Sequence, residues 1–508
     1  MMTKHGRKWL SMVAVILVML LLLCACGKTE NETSSGDASG SDVSDSADAS
    51  ATDSQASDGA SDTGSANNGT TSAASNGNGG GTGGTGGNGG GTGGNGGGTT
   101  TGKSVWGSDP YANIPAEVKS KGVHVLMWRE YTNLEKKLVD DFQKKTGIKV
   151  RTTVSGDSEG AYGTKLVSLV SGKDSPDVVA LESYNFPSFA VRALQPLDTA
   201  VYRLDDSCWN KTYMDSMKVN NRYFGVGISG SWNVDDCLYA TYYSPKVLKA
   251  CGITTMPYDL YKQGKWNWKA QHDIAKQIKQ AGKNYIGLSW QSSDLFMLSA
   301  GTDFVGYDGK QFSNNLGSVS GSSMLTKAWQ EVATLRSEGL SSEWSLSNVQ
   351  QGKCGLFSAI TFGMQTEARW FPNMASDIQC VPVAGPDQNS AYVPARPKLW
   401  GTAKGAKNPE GAAYFLRYFL DPKNCDMKGS FVNSQFEEVF NKITASSAKK
   451  QVLRGWGITN YLKSGEYYVF CYALNETTPA NVTTVLNQKK SSLQSAINKA
   501  NKDLQKIK

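Results

Sequence analysis

The chain has 508 residues and a formal charge of +7, but glycine and charge are unevenly spread: 22 of the 55 glycines lie between Gly36 and Gly102, and residues 27–103 carry nine carboxylates against two lysines. Residues 104–508 hold a net +11 and are rich in Trp, Tyr and aliphatic side chains, which excludes a chain disordered throughout. No long apolar run follows residue 26, which excludes a multi-pass membrane protein.

Lys4, His5, Arg7 and Lys8 precede the apolar run Trp9–Leu23, broken only by Ser11, and this is the layout of a secretory signal. The run ends in Leu23-Cys24-Ala25-Cys26-Gly27, which resembles the lipobox of bacterial lipoproteins. The resemblance implies that Cys26 is lipidated, becomes the mature amino terminus and tethers the protein on the outer face of the cell membrane. An uncleaved helical anchor or an ordinary signal peptide is the alternative. In residues 27–104, Val43 is the one aliphatic side chain larger than Ala. Such a tract buries too little surface to offset its ordering entropy. With its glycine run Gly79–Gly91 it reads as a spacer spanning roughly 50 Å root-mean-square.

The folded part opens with a strand predicted over His124–Trp128. Thr132-x-x-Glu135 has the form of a capping box, and Leu134, Leu138, Val139 and Phe142 follow at helical spacing up to Gly147. Ile148, Val150, Thr152 and Val154 alternate as a strand. Tyr162, Leu166, Leu169 and Val170 form a second helix ending near Gly172, and Pro176–Leu181 reads as a buried third strand. This succession predicts a parallel, doubly wound α/β sheet whose ligand loops follow the strand ends at Trp128–Tyr131, Ser155–Gly160 and Glu182–Phe186. Near the carboxyl end, Val482, Val485, Leu486, Leu493, Ile497 and Leu504 predict a long amphipathic helix.

Several motifs, in order, carry a family resemblance. They include Phe142-Gln-Lys-Lys-Thr-Gly-Ile-Lys-Val150, Ser171-Gly-Lys-Asp-Ser-Pro-Asp-Val-Val179, Leu194-Gln-Pro-Leu-Asp198 and Tyr223-Phe-Gly-Val-Gly-Ile228. Tyr242–Ile253, Gly264-Lys-Trp-Asn-Trp268, Gln351-Gly-Lys-Cys-Gly355 and Lys407-Asn-Pro-Glu-Gly-Ala-Ala413 follow. Together they resemble extracellular solute-binding proteins of ABC importers, in the sugar-binding group of maltose-binding protein, over about residues 120–508. Gly227 stands where the family usually has Pro, and Tyr243-Ser-Pro-Lys246 departs from its usual pattern. The resemblance implies a two-lobed periplasmic-binding-protein-like fold (type II), with doubly wound sheets, a hinge and an interlobe ligand cleft. Residues 120–232 and 384–425 would form one lobe, and 236–378 and 428–508 the other.

A sugar presents apolar C–H faces and a rim of hydroxyls, so aromatic rings beside charged or amide groups suit it. The candidates are Trp128 and Glu130 after the first strand, Glu182 and Tyr184 after the third, and Trp232 and Asp235 in the first crossing. Trp290 and Asp294 follow the strand candidate Tyr285–Ser289, and Glu367, Arg369 and Trp370 follow Gln351–Phe362. Trp266, Trp268 and Trp329 are assigned to packing, while Trp400 and Tyr472 are remoter candidates. His124 reads as a core residue and His272 as a surface one. The pairs Asp205-Asp206, Asp235-Asp236 and Glu437-Glu438 read as solvated charge. Seven cysteines remain after the signal, most simply as free thiols.

No catalytic constellation, metal site or cofactor motif stands out. The expected function is binding a carbohydrate and delivering it to the transmembrane subunits of an ABC permease, as a monomer that engages no nucleic acid. A glycan-degrading, or a sensory or adhesive, surface lipoprotein is the alternative.

Overall fold

The computed structural model describes residues 109–507, apart from 157–158, 372–375, 426, 428 and 463–476. The signal, Cys26, the spacer, Cys471 and Tyr472 lie outside the described residues. No described helix is long and apolar enough to cross a membrane.

β1 (Val123–Met127) is buried along its whole length. The capping box then forms: Thr132 Oγ1 accepts from the Glu135 amide at 3.2 Å, and Glu135 Oε2 accepts from the Thr132 amide at 2.7 Å. It starts α1 (Asn133–Thr146), which buries Leu138, Val139 and Phe142 and stops at Gly147, where φ is 75°. β2 (Val150–Val154), α2 (Glu159–Ser171) and β3 (Val178–Leu181) follow, and β1 pairs in parallel with both β2 and β3. After β4 (Leu194–Gln195) the chain leaves this sheet.

The second sheet starts with β5 (Tyr239–Tyr243). α3 (Trp268–Gln280), β6 (Ile286–Trp290), the single turn and a half α4 (Asp294–Ser299), α5 (Met324–Ser337), β7 (Ser341–Glu343), β8 (Cys354–Ile360) and β9 (Gln379–Pro382) complete this part of the chain. The return passes through β10 (Val393–Ala395) to β11 (Leu399–Ala403), then α6 (Pro409–Phe419) and α7 (Ser434–Thr444). β12 (Lys450–Val452) pairs with β10, and α8 (Gly455–Thr459) and α9 (Val482–Leu504) follow.

Two five-stranded sheets result, in the orders β2-β1-β3-β11-β4 and β7-β6-β8-β5-β9. The opening strands pair in parallel as predicted, β1 with β2 and β3, but neither sheet is parallel throughout. β11 runs antiparallel to β3 and β4, and β5 runs antiparallel to β8 and β9. A right-handed helical crossover enforces parallel pairing only between consecutive strands of one lobe. β11 arrives from the other lobe and is free of that constraint.

Several motifs of the sequence have packing reasons. Asp177 accepts from the His124 amide at 2.9 Å and from the Asn408 amide at 2.7 Å, so Pro-Asp-Val-Val and Lys-Asn-Pro-Glu meet across 231 residues. Asn408 also caps α6 through the Gly411 amide. In Gly264–Trp268, Asn267 caps α3, and the indole N–H groups of Trp266 and Trp268 donate to the carbonyls of Pro382 and Ala384. Ser244-Pro245 starts a short helix, with Ser244 Oγ accepting from the Val247 amide and Pro245 in the first turn. That accounts for the departure at Tyr243–Lys246. The six described cysteines are free thiols.

His124 is buried and hydrogen-bonded. Arg151 donates to its Nδ1 at 2.7 Å, so Nε2 carries the hydrogen toward Thr153 Oγ1 at 2.8 Å. Burial and then the Arg151 charge hold its pKa below the ordinary value. His272 corrects the expectation of a surface residue. Its side chain is 18 % exposed and bridges α3 to Glu331, at 3.4 Å, and Glu338, at 3.0 Å. The two carboxylates outweigh burial and raise its pKa to about 9. A folded-state pKa above the unfolded value of about 6.5 gives stability that is complete below pH 6.5 and lost as pH rises through 9. His272→Gln is expected to lower Tm by roughly 1–3 °C at pH 6 and by much less at pH 10, measured by differential scanning calorimetry. An equal loss at both pH values would show that the contribution is packing alone.

Candidate functional site

Two of the segments that link the sheets, 226–237 and 396–400, run antiparallel to each other. Val226 and Trp400 exchange both backbone hydrogen bonds at 2.9 Å, Lys398 N donates to Val234 O at 3.0 Å, and Arg396 N donates to Cys237 O at 3.1 Å. In an extended chain residues two apart share a face. Arg396 and Lys398 therefore project together into the seam where the ends of β1, β3 and β6 converge.

Around Lys398 the seam is a set of compensated charges. Lys398 donates to Asp236 Oδ2, with both side chains only 5 % exposed, and its Nζ stands 4.3 Å from the centre of the Trp128 ring. Arg129 flanks the same ring at 5.6 Å and makes a two-pronged pair with Glu135, at 2.7 and 3.1 Å. Burial alone would raise the Glu135 carboxyl, but the Arg129 charge and hydrogen bonds win and hold it below the usual range. Burial likewise opposes the charge on Lys398, and Asp236 outweighs it, so Lys398 stays protonated.

Arg396, 4 % exposed, has its Cζ 5.3 Å from the centre of the Tyr239 ring and 5.0 Å from that of Trp456. Its Nε and Nη2 have no hydrogen-bond partner among the described residues. Trp456 in turn stands 5.0 Å from Tyr184. Burial disfavours the Arg396 charge, but polar neighbours that include the carboxylates of Glu182 and Asp294 raise its pKa overall. Asp294 accepts from the Ser292 hydroxyl. The seam thus gathers aromatic faces and charged rims from both sheets, the equipment for holding a polar ligand with apolar faces.

Of the residues anticipated from sequence, Trp128, Glu182, Tyr184 and Asp294 are gathered here. Glu130 is exposed, and its carbonyl accepts from Arg129 at 2.8 Å. Trp232 is buried between Phe362 and Phe440, and Trp290 is buried against Phe296. Asp235 is fully enclosed, accepting from Tyr213 Oη at 2.6 Å and the Gly230 amide at 2.7 Å, and burial pushes its carboxyl up to about 7. Glu367 and Arg369 are exposed, and Trp370 packs against Trp344, Phe362 and Phe371. These residues are not among those brought together around Trp128. Trp266, Trp268 and Trp329 are buried, and Trp400 is buried with its indole N–H donating to Asn233 O at 2.9 Å.

The view of acidic pairs as solvated charge is corrected at three positions. Asp206, Asp235 and Asp236 are all buried, because each has donors that replace water: the Cys208 amide for Asp206, and the groups just described for the others. Arg396, Lys398, Tyr239 and Trp456 were missed as site residues. The available signal was two cations spaced by one residue in Ala395-Arg-Pro-Lys398, a pattern that puts both on one face of an extended segment. A groove of about 710 Å³ lined by Trp209, Lys211, Tyr392, Lys449 and Lys450 shares no residue with this seam.

The model for the family described as bacterial extracellular solute-binding protein matches residues 128–424. A comparison with curated proteins gives no match. Among solved structures, UgpB from Mycobacterium tuberculosis in complex with glycerophosphocholine aligns with a TM-score of 0.56 at 14 % identity, over 74 % of this chain and 98 % of its own. The galacto-N-biose-/lacto-N-biose I-binding protein of the ABC transporter from Bifidobacterium longum, in complex with lacto-N-biose, aligns at 0.55 and 14 %, over 75 % and 97 %. The sugar-binding protein MalE from Xanthomonas citri aligns at 0.54 and 14 %, over 76 % and 98 %. At these identities the likeness is one of fold, the two-lobed α/β architecture already described. The family match spans more than half the chain and takes in every strand of the two five-stranded sheets except β1, so this protein belongs to the bacterial extracellular solute-binding proteins and works outside the cytoplasm.

Proposed function

We propose that the chain captures a carbohydrate, mono- or oligosaccharide, between its lobes and delivers it to an ABC permease, tethered to the membrane through Cys26 and raised from it by residues 27–104. The lobes would comprise 120–232 with 384–425, and 236–378 with 428–508. The observation that carries this reading is the seam: Trp128 and Trp456 offer ring faces, while Glu182, Asp236, Asp294, Arg396 and Lys398 offer a hydroxyl-binding rim, drawn from both sheets. The relative of the same fold in complex with lacto-N-biose supports the substrate class. A site built across a hinge closes on its ligand by favouring one separation of the lobes over another. Binding is reversible and leaves the sugar unchanged, and hydrolysis of ATP belongs to separate cytoplasmic subunits.

A thermal-shift screen of mono- and oligosaccharides tests this. A ligand at 100 times its Kd adds about 2.7 kcal/mol of stability, so a cognate sugar raises Tm clearly. Trp128→Ala is expected to weaken binding by roughly tenfold or more while leaving the far-ultraviolet circular dichroism unchanged. No shift with any sugar would overturn the carbohydrate reading, and release of reducing ends would favour a glycan-degrading enzyme instead.

A further inference from the structure

The groove of about 710 Å³ has no part in the carbohydrate reading, and its chemistry differs from that of the seam. Residues 207–212 and 228–229, which follow β4, form one wall; Tyr392 and 446–450, which lead into the paired strands β10 and β12, form the other. A cavity of this size admits a small organic molecule. Consecutive residues of segment 226–237 turn to the two places. Asp236 pairs with Lys398 in the seam, whereas Asp235 accepts from Tyr213 Oη at 2.6 Å, and the Tyr213 ring centre lies 5.9 Å from Nζ of the groove residue Lys450. The groove is also tied to that segment by the Asn210 amide, which donates to Gly227 O at 2.8 Å, and by the Asn210 side chain, which donates to Ser229.

Three lysines, Lys211, Lys449 and Lys450, line the groove, and among the described residues no carboxylate does. Lys450 is half-buried, and its Nζ donates to the carbonyls of Ala445 at 2.7 Å, Thr444 at 3.3 Å and Ala448 at 3.4 Å. Lys211 Nζ donates to Leu204 O. Carbonyls fix an ammonium in place without cancelling its charge. Burial holds the Lys450 pKa below its ordinary value, and Asp235 opposes this only in part, so a further negative group beside it would be favourable. Lys211 and Lys449 are exposed and bring mobile ammonium donors, while the exposed Thr212, Ser446 and Ser447 bring hydroxyls. Three cations exceed what one carboxylate balances and suit a doubly charged group with several acceptor oxygens, which a phosphate is. We propose that this groove is a second ligand site, separate from the seam, for a small molecule bearing a phosphate, with Lys211, Lys449 and Lys450 around the phosphate and the neighbouring hydroxyls completing its hydrogen bonds.

Titration calorimetry of the full-length protein at low ionic strength tests this with phenyl phosphate, inorganic phosphate and phenol, none of them a saccharide. Phenyl phosphate is expected to bind at one site per chain, and phenol not to bind. Inorganic phosphate bound as tightly as the ester would identify the free anion as the ligand, and weaker binding would identify an ester; both outcomes support the site. Lys211→Glu combined with Lys449→Glu is expected to weaken phenyl phosphate by roughly tenfold or more. Lys276→Glu combined with Lys502→Glu makes the same change in net charge at exposed positions outside the groove, and should leave the affinity about unchanged. All four lysines are exposed, so both variants should fold, which an unaltered Tm checks. Equal losses in the two pairs would reduce the effect to general attraction and overturn the proposal. Binding of phenol as tightly as of its phosphate, or of neither phosphate compound, would overturn it too. None of these outcomes touches the carbohydrate reading, which the saccharide screen decides by itself.

Discussion

Replacing Lys398 by Ala is expected to destabilise the protein by about 3–5 kcal/mol, because it strands a buried carboxylate. Asp236 and Lys398 are each 5 % exposed, and Asp236 Oδ1 already lacks a hydrogen-bond partner among the described residues. With Lys398 gone, Oδ2 loses its donor as well. The surface pair Lys137–Asp141 is as well formed, at 2.8 Å, but its lysine is 71 % exposed, and Lys137→Ala should cost only about 0.5 kcal/mol. The contrast isolates burial from ion pairing. Asp236→Leu combined with Lys398→Met removes both charges together and should recover most of the loss, since apolar groups of similar volume replace a buried pair at little cost. Urea unfolding followed by tryptophan fluorescence reads all three. A cost in Lys398→Ala no greater than in Lys137→Ala would mean that water reaches the pair.

Gly457→Ala should impair stability and binding together. A Cβ at residue 457 would lie 1.9 Å from the carbonyl oxygen of Phe186 and 2.7 Å from that of Ser183. Both are backbone atoms of the turn that follows β3, so α8 must move as a unit. Its start is held by Asp303, whose Oδ2 accepts from the amides of Arg454 and Gly455, and burial pushes that carboxyl up to about 6. Displacing α8 carries Trp456 away from Tyr184 and Arg396. Overpacking of this kind costs about 1–3 kcal/mol, and saccharide affinity should fall at least tenfold in variant that is still folded at the assay temperature. Native-like dichroism with unchanged affinity would show that Trp456 is not a platform for the ligand.

Local structure was the most legible part of this chain. The capping box at Thr132–Glu135, the stop at Gly147, the alternation through Val154 and the spacing of Leu486, Leu493 and Ile497 each depend on neighbours within a few residues, and each formed. That Trp128 and Glu182 stand just past the ends of β1 and β3 was also legible, from the strand patterns that precede them. What misled was adjacency. Asp235 and Asp236 are consecutive acids, yet a turn of helix sends one to Tyr213 and the other to Lys398, and neither meets water. Tryptophan count misled in the same way: Trp232 and Trp290 have the chemistry of a sugar platform, and packing consumes them.

The residues by themselves determined the secretory signal and spacer as expectations and the α/β succession of the opening elements, which follow from composition, periodicity and turn chemistry along the chain. The two lobes were implied by the family resemblance of its motifs. Tertiary structure alone decided the rest. Arg396 and Lys398 lie more than 200 residues from Trp128 and Glu182, and only the antiparallel pairing of segments 226–237 and 396–400 aims them at the same seam. Whether a charge is solvated, paired or left with an open edge depends on what the fold brings to it from far away.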